Sequence, residues 1–188
     1  MGAPTDPLSD WQARGLVHQA TATGLGEAMA AGSLTGYIGF DPTAASLHVG
    51  SLLPVLMLVR LQRAGHRPIA LVGGGTGLIG DPSGKDDERN LLTVEQLEAN
   101  KVTMRAQLER FLDFSGERGA LPLDNIDWLG RLELIEFLRD VGKHFSVNSM
   151  IARESVKRRL EGREHGISYT EFSYSLLQAY DFLELYDR

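Results

Sequence analysis

The stretch from Leu34 to Gly75 constrains the fold most. It reads "LTGYIGF", then "GSLLPVLMLVRLQRA" from Gly50 to Ala64, then "RPIALVGGG". The first segment is β-branched and aromatic with two glycines, which predicts a strand that something approaches closely. The second has helical spacing, with Pro54 expected in its first turn and Gly65 as its stop. The third is a continuous apolar run between turn signals, the pattern of a strand buried on both faces of a parallel sheet.

The rest of the chain repeats the alternation. Short helices are expected over "LSDWQARGLVHQ", capped at Ser9 or Asp10, and over "LGEAMAAG", stopped by Gly32. "TVEQLEANKVTMRAQLERFLDF" is a long helix with Thr93 and Gln96 at capping-box spacing. "NIDWL" is predicted to be a short strand, "RLELIEFLRDVGKHF" a helix, and "SYTEFSYSLLQAYDFLELYD" an amphipathic helix. Strand, helix, strand, helix, strand defines an α/β fold with a doubly wound parallel sheet.

Composition removes several classes of function. The 188 residues suffice to bury roughly two-thirds of the unfolded surface in one large domain, or one domain plus an insertion. With no cysteine there is neither a disulfide framework nor a thiolate metal site. The longest apolar run, Leu52 to Leu61, is interrupted by Pro54 and Arg60 and is about half a membrane span. The start, "MGAPTDPLSD", lacks the features of a secretory or organellar signal, so a cytoplasmic protein with no membrane association is expected. A net charge of −6 opposes a surface that grips nucleic acid over its whole area.

Two glycine motifs fail on inspection. Gly75, Gly77 and Gly80 fit the dinucleotide fingerprint, but "DPSGKDDERN" follows, and Pro82 and Gly84 break the helix on which a pyrophosphate would rest. "GDPSGK" places Gly80 and Gly84 one residue too close for a phosphate loop, with Asp86 where a magnesium-binding hydroxyl belongs. A third feature fits an anion better. His48 and Ser51 lie where the first strand passes into its helix, where unpaired N–H groups and the helix dipole favour negative charge. Thr43 is near enough in sequence to hold the other side of a phosphate. The alternative is that Asp41 and Thr43 cap the turn and His48 packs.

On the last helix, Tyr174, Gln178 and Asp181 fall at i, i+4 and i+7 and share a face. Phe172, Leu176, Leu177 and Phe182 are expected to hold that helix in the core. Buried Gln and Asp are costly without partners, so the face points to a polar ligand.

"HVGS" at 48–51 resembles the "HIGH" signature of class I aminoacyl-tRNA synthetases. Together, "YIGFDPTAASLHVGSL", "LVGGGTGLIGDPSGK" and "YSLLQAYDFLELY" closely resemble the tyrosyl-tRNA synthetases of the bacterial type, over nearly the whole chain from about Asp10. The resemblance implies a Rossmann-like catalytic domain, incomplete here and with a helical insertion. It would activate L-tyrosine with ATP to tyrosyl-adenylate, release pyrophosphate and charge tyrosine tRNA. It assigns Thr43 and His48 to the departing phosphates, with Lys85 closing over them and Arg89 assisting. Gly39, Asp41, His48, Gly50 and Ser51 would meet ATP, which brings its own Mg2+, and no protein-bound metal is implied. Asp81, Tyr174 and Gln178 would hold the substrate ammonium, Tyr37 and Asp181 its phenolic hydroxyl, with Thr76 and Asn125 as supports behind them.

Ser51 replaces the family's usual second His and cannot carry charge. The family's Lys-rich "KMSKS" loop and "GGSDQWGN" block are expected beyond "ELYDR", so the resemblance implies a fragment with weak tyrosine binding and little turnover alone. Three regions are expected: 1–33 as an N-terminal helical segment, 34–124 as the first half of the nucleotide fold, and 125–188 as the start of an inserted, dimerising region plus the tyrosine helix. The resemblance also implies a homodimer, with "LELIEFLRDVGKHF" as a candidate interface. The basic run "RESVKRRLEGR" alternates with Glu, as a solvated face does, and could equally meet RNA backbone. Three other readings compete: a tryptophan-specific relative, disfavoured by Tyr37 with Asp181; a small-acid nucleotidylyltransferase, which would not need the Tyr174 face; and a non-catalytic RNA-binding relative, disfavoured by an intact polar pocket.

Overall fold

The structure, a computed structural model, describes residues 6–20, 23–82, 92–161 and 166–188. Along the chain lie α1 (Leu8–Ala13), α2 (Leu25–Ala31), β1 (Thr35–Phe40), α3 (Val49–Arg63), β2 (Arg67–Val72), α4 (Val94–Leu108), β3 (Leu121–Asp124), α5 (Ile126–Leu129), α6 (Leu134–Glu136), α7 (Val147–Ile151), α8 (Glu154–Glu161) and α9 (Tyr169–Tyr186). Two compact units are formed. One comprises residues 1–40, 44–72 and 101–123; the other comprises 41–43, 73–100 and 124–188.

The first unit is built on an open parallel sheet in the order β1-β2-β3, as the alternation predicts. β1 and β2 pair from Thr35 opposite Arg67 to Phe40 opposite Val72. Central β2 is buried along nearly its whole length, which accounts for its unbroken apolar sequence. Phe40, Val55, Leu58, Val59, Ala70, Val72, Met104 and Leu108 form the core.

His48 caps α3, its Nδ1 accepting from Gly50 N at 3.0 Å. The helix opens at Val49, so Pro54 is its sixth residue rather than part of its first turn. Its ring therefore removes the bond that an N–H there would make to the carbonyl of Gly50. Gly65 ends the helix as expected, with a φ of +88° that a side chain would oppose, and its N–H reaches the carbonyl of Gln62.

α4 begins with the capping box: Gln96 N donates to Thr93 Oγ1 at 3.2 Å and Thr93 N to Gln96 Oε1 at 3.1 Å. One local expectation fails at a helix start. α1 is capped by neither Ser9 nor Asp10; Asp6 Oδ1 accepts from Leu8 N at 2.7 Å, and the helix is shorter than its periodicity suggested.

"NIDWL" is not a strand. β3 lies before it, and residues 126–129 form a helical turn, because Asp124 Oδ1 captures the N–H of Ile126 at 3.2 Å and turns the chain. The helix expected over residues 131–145 is divided into α6, a π-helical run Phe137–Val141 and a 3-10 turn Gly142–His144. Phe137 anchors this segment edge-to-face on Tyr180 at 6.0 Å, and Gly142, a poor helix former, stands where the spacing changes.

Candidate functional site

In the second unit, "GGGTGLIG" folds tightly on itself. Gly77 N donates to the carbonyl of Gly73 and Gly80 N to that of Thr76, and Gly80 has a φ of +90°. Residues 76–78 are one turn of 3-10 helix, and α4 starts only at Val94, so the glycines do not open an α-helix. A Cβ on Gly73 would overlap Asp41 Oδ1 and Thr76 Oγ1, and one on Gly74 would overlap the carboxylate of Asp124. Bare backbone is required where these side chains press against it.

The pressure comes from a chain of hydrogen bonds. Asn125 is 1% exposed; its Oδ1 accepts from Gly75 N at 2.8 Å and from Thr76 N at 3.4 Å. Its Nδ2 donates to Thr76 Oγ1 and to Asp181 Oδ2, each at 3.1 Å. Thr76 Oγ1 donates to Asp41 Oδ1 at 2.8 Å, and Tyr174 Oη donates to Asp41 Oδ2 at 3.1 Å. Trp128 Nε1 donates to Asp181 Oδ1 at 2.8 Å. The amide and hydroxyl donors thus converge on two carboxylates, and the network orients both.

Burial raises the Asp181 carboxyl above its ordinary range, opposed by the hydrogen bonds from Trp128 and Asn125. Burial also raises the Tyr174 phenol, reinforced by the charges of Asp41, Asp81 and Asp181, so Tyr174 is a hydrogen-bond donor at neutral pH.

A cleft of about 220 Å³ opens beside this network. Asp81, Tyr174 and Gln178, the three residues expected to share a ligand, all line it, together with Arg153, Glu171 and Ser175. Gln178 is exposed toward solvent, whereas Asp181 is 3% exposed. Of the apolar residues expected to bury α9, Leu176 does so and Phe172 and Leu177 are half-buried. Phe182 does not: it is 60% exposed, and the helix instead buries Glu171 and Asp181, which have polar partners.

The first unit holds Tyr37, Gly39, His48, Gly50 and Ser51. His48 and Ser51 line a separate cleft of about 390 Å³ with Leu52, Gln107, Arg110 and Phe111. The capping bond occupies His48 Nδ1, so Nε2 is the ring nitrogen left to donate to an anion. Neither Asp41 nor Thr43 caps α3. Tyr37 and Gly39 are on β1, and a Cβ at Gly39 would meet only open space. Thr43 is exposed in the second unit, and Gly50 is the second residue of α3. Lys85 and Arg89 lie outside the described residues. Among the described residues, no group of three His, Asp or Glu side chains could hold a metal ion.

Trp128 is the site residue that sequence reasoning missed. Replacing it with phenylalanine keeps an aromatic but smaller ring and removes the donor to a buried carboxylate, with an expected loss of at least about 1.5–3 kcal/mol in stability. The Asp181 carboxyl should also move further upward, a shift readable by NMR titration of its side chain.

This parallel α/β sheet with its glycine turn and polar helix face belongs to the class I tRNA synthetases of the tryptophan and tyrosine group, whose family model matches residues 29–188. Within that family the similarity is to tyrosine enzymes. The chain is 57% identical over 182 residues to the tyrosine–tRNA ligase of Chromobacterium violaceum, and 56% identical over 179 residues to that of Rhodopirellula baltica. These alignments cover 96% and 95% of this chain, but only 43% and 41% of the relatives' length. The structure is also similar to a C-terminally truncated mitochondrial tyrosyl-tRNA synthetase of Aspergillus nidulans, with a TM-score of 0.81 and 30% identity. That match covers 93% of this chain and 52% of the other.

Proposed function

We propose that this chain provides the tyrosine-binding and first ATP-binding elements of a tyrosine–tRNA ligase. The observation that carries the reading is the network ending on Asp181: a buried carboxylate held by Asn125 and Trp128, on the same helix as Tyr174 and Gln178. Such a carboxylate, with lone pairs to spare, suits a phenolic hydroxyl. Tyr37 is proposed as its second partner on the substrate.

Asp81, Tyr174 and Gln178 would hold the ammonium group. Asp81 supplies negative charge, and Tyr174 remains an un-ionised phenol oriented by Asp41. Thr76 and Asn125 would not touch substrate; they hold Asp41 and Asp181 in place.

The tyrosine carboxylate attacks the α-phosphate of ATP, forming the acyl–phosphate bond as the bond to pyrophosphate breaks. Charge accumulates on the leaving group, and catalysis rests on positioning and electrostatic stabilisation. Thr43 and His48 Nε2–H are proposed to meet that charge, with Lys85 and Arg89 adding cations. Gly39, Asp41, Gly50 and Ser51 would border the nucleotide, and Mg2+ would arrive on the ATP. Tyrosine tRNA as acceptor, a homodimer formed through about residues 125–145 and a cytoplasmic location complete the proposal. Among the described residues, no helix is long and apolar enough to cross a membrane.

The test is tyrosine-dependent ATP–pyrophosphate exchange, measured on residues 1–188 and on the protein expressed from its whole reading frame. The isolated 188 residues are expected to exchange hardly at all. A longer product with the relatives' C-terminal part should exchange with tyrosine and not with tryptophan. Exchange with tryptophan, or none with any amino acid, would overturn the reading.

A further inference from the structure

Arg159 and Glu171 form an ion pair removed from water, with side-chain exposures of 2% and 1%. The guanidinium, in the last turn of α8, gives Nη1 and Nη2 to Glu171 Oε1 and Oε2 at 3.3 and 3.0 Å. It also gives Nε and Nη2 to the carbonyl of Gly166 at 3.2 and 3.0 Å. A planar fork with four contacts is fixed in orientation, which a rotating ammonium would not be. Apolar residues of similar volume are often at least as stabilising as a buried pair, so stability alone does not account for one.

Its placement suggests what does. Glu171 precedes Tyr174, Ser175 and Gln178 by three, four and seven residues, so it stands on the α9 face that lines the cleft, and it forms part of the wall itself. Arg153, Ser155 and Val156 supply wall from the α8 side. The pair therefore joins the two helical segments that border one cleft. Ser168 Oγ, accepting from Glu171 N at 3.3 Å, fixes the start of α9 at the same point.

We propose that Arg159 and Glu171 are a positioning pair that sets α9 against α8, and so places Tyr174 and Gln178 for the ammonium end of the amino-acid substrate. This rests on the tyrosine reading above. Neither residue touches the reacting atoms. The pair acts by holding donors and acceptors where a misplacement of about 1 Å costs affinity.

The protein expressed from its whole reading frame provides the test, with tyrosine-dependent pyrophosphate exchange as the assay. Arg159→Lys keeps the charge and loses the fork. It should raise KM for tyrosine about tenfold while kcat and KM for ATP stay within about twofold, the signature of lost binding shared by ground and transition states. A second variant, Arg159→Met with Glu171→Leu, removes both charges and should melt near the unmodified protein yet show the same tyrosine-specific rise.

A folded variant with KM for tyrosine within about twofold of the unmodified protein overturns the proposal. So does a rise shared equally with ATP, and so does failure of both variants to fold, since the pair would then be purely structural. An unmodified protein that shows no tyrosine-dependent exchange instead overturns the functional reading, an outcome visible before any variant is made.

Discussion

Glu171→Leu is expected to lower the unfolding free energy by about 3–5 kcal/mol, because it leaves the Arg159 guanidinium buried with no counter-charge. The remaining contact, to the carbonyl of Gly166, satisfies hydrogen bonds but does not neutralise the ion. Leucine occupies a volume similar to that of the glutamate, so the loss arises from the stranded charge and not from a cavity. Adding Arg159→Met should restore most of the stability, since the desolvation cost disappears together with the attraction it offset. Urea unfolding of the single and double variants measures this directly through their midpoints. A midpoint for Glu171→Leu equal to that of the unmodified chain would mean that water reaches Arg159. The surface pairs of the same helix form a useful contrast. Arg158 with Glu154 and Lys157 with Glu161 are largely exposed, and breaking either should cost less than about 1 kcal/mol.

That contrast also marks how far the sequence could be read. "RESVKRRLEGR" presents alternating charges, and its pattern is that of a solvated face. Arg158 and Lys157 follow the pattern; Arg159 departs from it. Nothing local distinguishes these neighbours, because the burial of Arg159 depends on Glu171, a tertiary partner twelve residues away. Local signals were legible for the same reason in reverse. The Thr93–Gln96 box and the stop at Gly65 depend on a few adjacent residues, and both appear in the structure as expected. β2 was legible because a strand buried on both faces requires an unbroken apolar run.

The misreading of "NIDWL" had a larger consequence. On a strand, Asn125 and Trp128 would point to opposite faces; on a helical turn, residues three apart share one. Their common attachment to Asp181 was therefore hidden by the wrong period, although Asp124 before Ile126 is a turn signal that was available. The grouping of Tyr174, Gln178 and Asp181 needed only the helical repeat, and it was accessible. That Asp41 would meet both Thr76 and Tyr174 was not, since 35 and 133 residues separate the partners.

Asp181→Ala removes the acceptor on which this network ends, and its effects should separate into two. Structurally, Asn125 Nδ2 keeps Thr76, whereas Trp128 Nε1 loses its partner in a buried setting; an unsatisfied group of this kind costs about 1–3 kcal/mol, so a lower urea midpoint is expected. In the proposed function, tyrosine loses the carboxylate that accepts its phenolic proton, while phenylalanine has nothing to lose. The preference for tyrosine over phenylalanine in pyrophosphate exchange should therefore fall by about 10- to 100-fold, the equivalent of one hydrogen bond to a charged group.

Asp181→Asn is the sharper variant. It preserves shape, but its own amide group must face either Trp128 or Asn125, donor against donor. It should lose tyrosine selectivity while disturbing the packing less than alanine does. The acid limb of tyrosine binding follows from the same carboxyl. Because its native pKa is raised, protonation sets in at a pH above the ordinary aspartate range, and affinity should decline as pH falls through that higher value. Tyrosine selectivity unchanged in both variants would place the phenolic hydroxyl elsewhere and detach Asp181 from recognition.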